Sequence, residues 1–297
     1  MISLHIDTGR EMRGGQWQVL YLLRGLVERG EKALLLSPAG SDLLQAALAQ
    51  RLDARPLGMA SLAGGARGVN LIHAHDARAH NLGLLIKKPL IVSRRVAFAI
   101  KRGPLSRWKY RRADHFIAVS QFIRRILVDA GIEDERITVV HDGVPIPPSQ
   151  ADPGERVLAL DSDDPGKCKT ILEKTAELAG VPITFSKNLS RDLAGAGVFV
   201  YITQSEGLGS AALLAMARGV PVVASAVGGL PEIVENGCTG LLTSNDPIEI
   251  ASQVHRLMGD RALAHRLATQ ARNRVEQEFS VEQMVRETMR VYERILV

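Results

Sequence analysis

The run Thr203-Gln204-Ser205-Glu206-Gly207-Leu208-Gly209-Ser210 sets a carboxylate directly ahead of spaced glycines that lead into an apolar helical pattern. A carboxylate can accept hydrogen bonds from sugar hydroxyls, and the bare amides of Gly207–Ser210 at a helix start can face a phosphate. Gly228-Gly229-Leu230-Pro231-Glu232 repeats the order of glycine turn and helix further along. Near the N-terminus, Gly14-Gly15 also precede a helical pattern. Lacking side chains, they let a diphosphate approach the backbone, although a glycine pair serves a purely structural turn as readily. The succession of turns is more specific than any one of them.

Two strand ends carry further polar groups. Ile91-Val92-Ser93 runs into Arg94-Arg95. Adjacent guanidinium groups at a sheet edge are costly without an anion, and Arg binds phosphate through two parallel hydrogen bonds. Leu71-Ile72-His73-Ala74-His75-Asp76 ends a strand in polar residues. His75 can donate a hydrogen bond or move a proton there, and a structural role for both histidines stands beside that reading. No metal is expected. His75 and His80 do not share a helix face at i, i+4 spacing, and no matching ligand set is visible elsewhere.

These residues need elements to hold them. Short apolar runs alternate with amphipathic stretches, the pattern of a parallel sheet covered by helices. Strands are expected at 3–6, 33–36, 69–73, 90–93, 116–119 and 137–140, then at 157–160, 183–185, 198–202, 220–224 and 240–242. Helical periodicity covers 16–28, 41–51, 121–130, 169–178, 210–218 and 230–235, and nearly all of 247–295. Pro145-Ile146-Pro147-Pro148-Ser149-Gln150 can be neither regular helix nor central strand and falls near the midpoint. The expectation is an α/β protein of two Rossmann-like doubly wound domains, 1–147 and 148–297, with function in the loops that follow strands.

Composition agrees. The chain has 297 residues, 46% hydrophobic and 23% charged, enough apolar material for two cores. Cys168 and Cys238 are too few for a disulfide framework, which fits reduced thiols and a cytoplasmic setting. Met1–Asp7 lack a signal peptide's pattern, and no apolar run approaches the roughly 20 residues that span a bilayer. The net charge is +5, and twelve lysines and arginines fall between Lys87 and Arg125 against the single Asp114. Such a stretch suits phosphate groups or an anionic membrane surface. Nucleic acid is not expected as a partner, because only 4% of residues are aromatic and no stacking motif accompanies the charge.

The block EGLGSAALLAMARGVPVVASAVGGLPEIVENGCTGLL, from Glu206 to Leu242, resembles the donor-binding region of family 4 retaining glycosyltransferases of the GT-B fold. Gly14-Gly15, LIHAHDARAH, YRRADHFIAVSQFIRRIL and RITVVHDGV resemble successive parts of that family's acceptor domain. The resemblance implies two Rossmann-like domains facing across a cleft, with a C-terminal helix crossing back to the first. It also implies transfer of a sugar, of hexosyl type, from a nucleotide diphosphate sugar to a glycan or lipid-linked acceptor, with retained anomeric configuration and without metal or other cofactor. Cell-envelope polysaccharide or lipopolysaccharide synthesis would be its setting, at the inner face of the membrane. Glu206, His75 and Arg95 are the catalytic candidates. Gly14, Gly15, Arg94, Lys167, Glu206, Gly207, Leu208, Gly209 and Ser210 are the donor-binding candidates. The chain departs from the family pattern in places. Leu214 stands where a second Glu is usual, Asp161 where an Arg is usual, and Arg95 where many members have His. The stretch from Lys167 to Glu206 is also shorter than usual, as though a strand–helix unit were missing. These departures motivate the alternative, a catalytically degenerate protein of the same fold that binds a nucleotide sugar or a partner.

Overall fold

The computed structural model describes residues 1–100, 103–150 and 154–297, so Lys101 and Arg102 of the basic stretch lie outside the described residues. It divides into two compact units, Met1–Gly143 with Val281–Val297, and Val144–Ser280.

The first unit runs β1 (Ile2–Ile6), α1 (Gly14–Glu28), β2 (Lys32–Ser37), α2 (Asp42–Ala49), β3 (Ala54–Pro56), α3 (Met59–Gly65) and β4 (Leu71–Ala74). It continues with α4 (Ala77–Gly83), β5 (Leu90–Arg94), α5 (Pro104–Arg111), β6 (His115–Ala118), α6 (Gln121–Asp129) and β7 (Ile137–Val139). All seven strands are parallel, in the order β3-β2-β1-β4-β5-β6-β7. The order reverses between β1 and β4, so loops leaving those strands diverge and open a crevice at their carboxyl ends. The face of α1 carrying Val19, Leu22, Leu23 and Leu26 is buried, as its periodicity requires.

The second unit runs β8 (Arg156–Leu160), α7 (Lys169–Ala179), β9 (Ile183–Ser186), α8 (Leu189–Asp192), β10 (Ala196–Tyr201) and α9 (Ser210–Ala217). Then come β11 (Val222–Ser225), α10 (Leu230–Ile233), β12 (Leu241–Thr243), α11 (Pro247–Gly259) and α12 (Arg261–Glu278). Its five parallel strands lie in the order β12-β11-β10-β8-β9. Here the reversal falls between β8 and β10. Both units are therefore Rossmann-like, each with one switch point.

The boundary falls between Gly143 and Val144, four residues before the expected one. Val144 N already donates to Phe279 O at 2.9 Å and bridges to Ser280. Arg272 then holds Pro147 O at 2.7 Å, so the proline-rich stretch is pinned to the second unit. The closing helix α13 (Val281–Leu296) belongs to the first unit, where Met284, Val285, Val291 and Tyr292 join its core. Val285 sits where a Cβ on Gly25 of α1 would stand, 2.5 Å away, so only glycine permits this approach. Edge strand β3 and helices α3, α4, α5 and α8 were not expected. Each has eight residues or fewer, too few to repeat an apolar period.

Candidate active site

In the second unit the loops leaving β8 and β10 are stitched together at the switch point. Gly166 O accepts both Gln204 N (2.8 Å) and Thr203 Oγ1 (3.0 Å). Ser225 Oγ receives Thr203 N at 2.9 Å and donates to Asn245 Oδ1 at 2.7 Å, which ties in the ends of β11 and β12. This stitching brings Lys167, Tyr201 and Glu206 together. Lys167 Nζ lies 2.6 Å from Glu206 Oε2 and 2.6 Å from the Tyr201 hydroxyl, which itself donates to Glu206 Oε2 at 2.5 Å. Burial first, and then the Glu206 carboxylate, push the Tyr201 phenol well above its ordinary range, so it stays a donor. The Lys167 and Glu206 side chains keep 19% and 17% of their exposure, so the pair is open to a ligand rather than sealed in the core.

The helix start beside them is shaped by close backbone approach. Gly209, at φ +115°, precedes α9 and supplies no side-chain cap, so the first amides of α9 lack an intrahelical acceptor. Gly228 lies so close to the site loop that an added Cβ would stand 2.1 Å from Glu206 O. The second glycine turn is thus the brace for the first. Leu208 is 2% exposed, which leaves its backbone as the only part able to meet a ligand. Next to Lys167, Ser162, Asp164, Cys168, Lys169, Thr170 and Gln204 line a cavity of about 390 Å³. Leu214 is half-buried on α9. Asp161 pairs with Lys169 (2.9 Å) and Lys187 (3.8 Å), so its charge is answered locally.

In the first unit the structure brings Arg95, His75 and Gly15 together. Arg95 Nε donates to Asp142 Oδ1 at 2.9 Å, and a Cβ on Gly15 would lie 3.9 Å from Arg95 Cδ. Arg95 Nη1 reaches His75 Nδ1 at 3.4 Å. A guanidinium only donates, so His75 Nδ1 accepts and the proton of this neutral ring sits on Nε2. Nε2–H then donates to His5 Nδ1 (3.0 Å), and His5 Nε2–H to Ser3 Oγ (2.9 Å). His73 is held separately, by the Tyr292 hydroxyl at 2.6 Å and Ser93 Oγ at 2.7 Å. Burial is the first cause holding all three rings below the ordinary imidazole range, His5 at about 3 and the others well down. Neighbouring rings and Arg95 add to the effect for His73 and His75. His75 is only 6% exposed, neutral, and engaged at both nitrogens. The geometry makes it a strut for Arg95 rather than a proton carrier.

Arg94 diverges from Arg95. Its guanidinium donates to Phe98 O, its Nε is buried without a partner, and burial lowers its pKa. The two arginines therefore do not converge on one anion. His5, His73 and His75 do place ligand atoms within 4.8 Å of one another, a trio in which His5 joins the two histidines read from the sequence. Every one of their ring nitrogens already has a hydrogen-bond partner, and the Arg95 cation stands beside them. Those nitrogens do not fit a metal without being rebuilt.

Sequence reasoning missed Tyr201, Asp7, Asp142, His5 and Tyr292. Asp7 and Asp142 each follow a strand, in the loop before Gly14 and in the motif ending HDGV, and that position was the available signal. Asp7 is 1% exposed and accepts from Gly9 N and the Gln16 amide. Burial first, then Asp76, raise its pKa against the pull of the Gly9 and Gln16 hydrogen bonds and of Arg95.

Both units resemble known proteins. Residues 12–146 match the model described as Glycosyltransferase Family 4, and residues 169–274 match Glycosyl transferases group 1. Each unit therefore contains a stretch similar to a glycosyltransferase family model. The N-acetyl-alpha-D-glucosaminyl L-malate synthase of Bacillus anthracis is 31% identical over 144 residues, 47% of this chain and 38% of that protein. The alpha-maltose-1-phosphate synthase of Mycobacterium tuberculosis is 38% identical over 110 residues, 35% of this chain and 28% of that protein. The matched stretches thus span well under half the length of either relative. The crystal structure of Anabaena Alr3699/HepE in complex with UDP and glucose superposes with a TM-score of 0.84 at 18% identity, over 99% of each chain. That similarity identifies the GT-B fold.

Proposed function

We propose that the chain is a family 4 retaining glycosyltransferase that moves a hexosyl group from a nucleotide diphosphate sugar to a glycan or lipid-linked acceptor. One observation carries the reading: Lys167 and Glu206 meet at a switch point, partly accessible to solvent, beside an uncapped helix start. In this reading the diphosphate draws Lys167 away from Glu206 and lies against the amides of Gly207, Leu208, Gly209 and Ser210. Glu206 is then released to accept from the sugar hydroxyls. Its charge stabilises positive character at the anomeric carbon, while Lys167 and the amides stabilise the leaving diphosphate. Those groups supply the positive potential for which other enzymes use a divalent ion, which supports a metal-independent reaction. In the first unit Gly14 and Gly15 remain diphosphate-binding candidates of this reading, and Arg95, beside Gly15 and oriented by His75, is its catalytic cation. The basic stretch of the first unit favours an acceptor of envelope type, as in polysaccharide or lipopolysaccharide synthesis.

A degenerate, ligand-binding role is the second reading. Its support is the apolar Leu214 where a second carboxylate is usual, and Asp161, opposite in sign to the usual Arg and already paired. Thermal stabilisation by UDP-, GDP- and ADP-sugars, with turnover measured on the same protein, separates the two. The transferase reading expects one donor to raise the melting temperature, and Glu206→Gln to keep that shift while turnover falls by roughly 10²–10³. Binding without turnover supports the degenerate role. No shift with any donor removes both.

A further inference from the structure

A cavity of about 410 Å³ lies in the first unit at the amino ends of β1 and β2, against the end of α3. The five residues of β1 separate these ends from the crevice by about 17 Å of strand. Leu34, Leu52 and Val69, all buried, supply an apolar lining. Lys32, Arg51, Arg55 and Arg67 stand around it, all exposed, against the two carboxylates of Glu31 and Asp53. Glu31 is taken by the Met1 ammonium at 2.6 Å, and Asp53 by Arg55 at 3.4 Å. Among the described residues, Lys32, Arg51 and Arg67 are left with no carboxylate partner.

The turn that presents Arg51 is unusual. Arg51 N donates to Leu48 O and Leu52 N to Ala47 O, the paired bonds that close a helix through a left-handed residue. The same pair closes α1 at Gly30, α6 at Gly131 and α9 at Gly219. Of these four turns only that of α2 carries a side chain at this position, at φ +58°, where a Cβ crowds the backbone. Glycine would make the turn with less strain, so what Arg51 contributes lies outside it, in the cavity that it lines. Guanidinium groups bind phosphate through two parallel hydrogen bonds, and Arg51, Arg55 and Arg67 bring three of them to one opening. We propose that the cavity is a binding site for an organic phosphate, its phosphate held by Arg51 and Arg67 and its body on the apolar lining. A Cβ added on Gly64 would meet no atom within 4 Å, so the α3 side of the opening is clear for that body. The site is independent of sugar transfer by the second unit.

Calorimetry on the whole chain tests this, with phenyl phosphate and inorganic phosphate as the probes. Phenyl phosphate is expected to bind at least tenfold more tightly than inorganic phosphate, because its ring meets the apolar lining. Arg51→Gly is expected to weaken phenyl phosphate at least tenfold and to raise the melting temperature without ligand, since the strained turn is relieved. A merely solvated arginine would give the second effect alone. Arg67→Ala is expected to weaken binding by a similar factor, and Gly64→Phe to block it with every charge kept. Arg112→Ala with Arg125→Ala, exposed cations outside the cavity, leaves binding unchanged. Lys167→Ala also leaves it unchanged, which separates this site from the proposed donor site of the second unit. The proposal is overturned if phenyl phosphate does not bind, if inorganic phosphate binds as tightly, or if Arg51→Gly keeps full affinity. Equal loss with the Arg112 and Arg125 pair, or with Lys167→Ala, overturns it as well.

Discussion

The two sheets solve the same problem with opposite interiors. In the second unit the sheet core is apolar, with Val157, Ala159, Val198, Val200, Ile202 and Val223 fully buried, and polar groups gather only at the carboxyl ends of strands. In the first unit polar groups penetrate the sheet itself, since Ser3, His5, His73 and Ser93 are buried on its strands and Tyr292 of α13 reaches His73. The charged pair of the second unit keeps 19% and 17% of its side-chain exposure and is braced by backbone packing of Gly228 on Glu206. That of the first unit, Arg95 with Asp142, is mostly buried and held by a line of neutral rings. Both pairs are largely buried, but that of the second unit lies beside an uncapped helix start, whereas that of the first is tied to the neutral rings of the sheet. The two switch points therefore differ in what they can do despite their shared topology.

Acid should separate the halves most strongly. His5, His73 and His75 have folded pKa values below the ordinary 6.5, so they bind fewer protons folded than unfolded. Their contribution is complete above about pH 6.5 and is lost progressively as pH falls toward the folded values, to about 3 for His5. Between pH 7 and 5 the loss is on the order of 2 kcal/mol for His5, and His73 and His75 shift stability in the same direction. Both tryptophans lie in the first unit, so their fluorescence in urea titrations at the two pH values reads this directly. An unchanged midpoint would contradict the buried neutral relay.

A matched pair of substitutions gives the next effect. Arg95→Ala removes the cation from a mostly buried ion pair, and about 3 kcal/mol of stability should be lost by chemical denaturation. Lys167→Ala should cost about 1–3 kcal/mol of stability, while donor affinity measured by calorimetry falls at least tenfold. If the two variants behave alike, the contrast between a structural and a ligand-facing pair is wrong. The smallest effect concerns single hydrogen bonds. Tyr292→Phe leaves His73 Nδ1 buried without its partner, which costs about 1–2 kcal/mol in thermal melts, with donor affinity unchanged. Lys187→Ala, by comparison, leaves Asp161 paired with Lys169 and should move the melting temperature hardly at all.

Much of this was legible in the chain before folding was considered. Edge strand β3 apart, the strands announced themselves as short apolar runs, because a strand covered on both faces needs apolar residues throughout. Helix α1 was visible because its apolar residues recur with the turn of the helix. Helix α5 was hidden for the same reason reversed, since a helix that buries nothing carries no apolar stripe toward the core. At the site, Glu206 and Lys167 were readable as candidates, but Tyr201 looked like any aromatic strand residue.

The sequence by itself determined that the protein has alternating parallel strands and helices, a break near its middle, and glycine turns ahead of helices. Each of these is decided by neighbours within a few residues. Only the tertiary structure decided which groups meet. Lys167 and Glu206 are 39 residues apart, Arg95 and Asp142 are 47 apart, and His73 and Tyr292 are 219 apart. Their meeting depends on strand order and on the return of the last helix to the first unit. The burial that keeps three histidines neutral likewise belongs to the assembled sheet, because a ring's desolvation is set by everything packed around it and not by its chain neighbours.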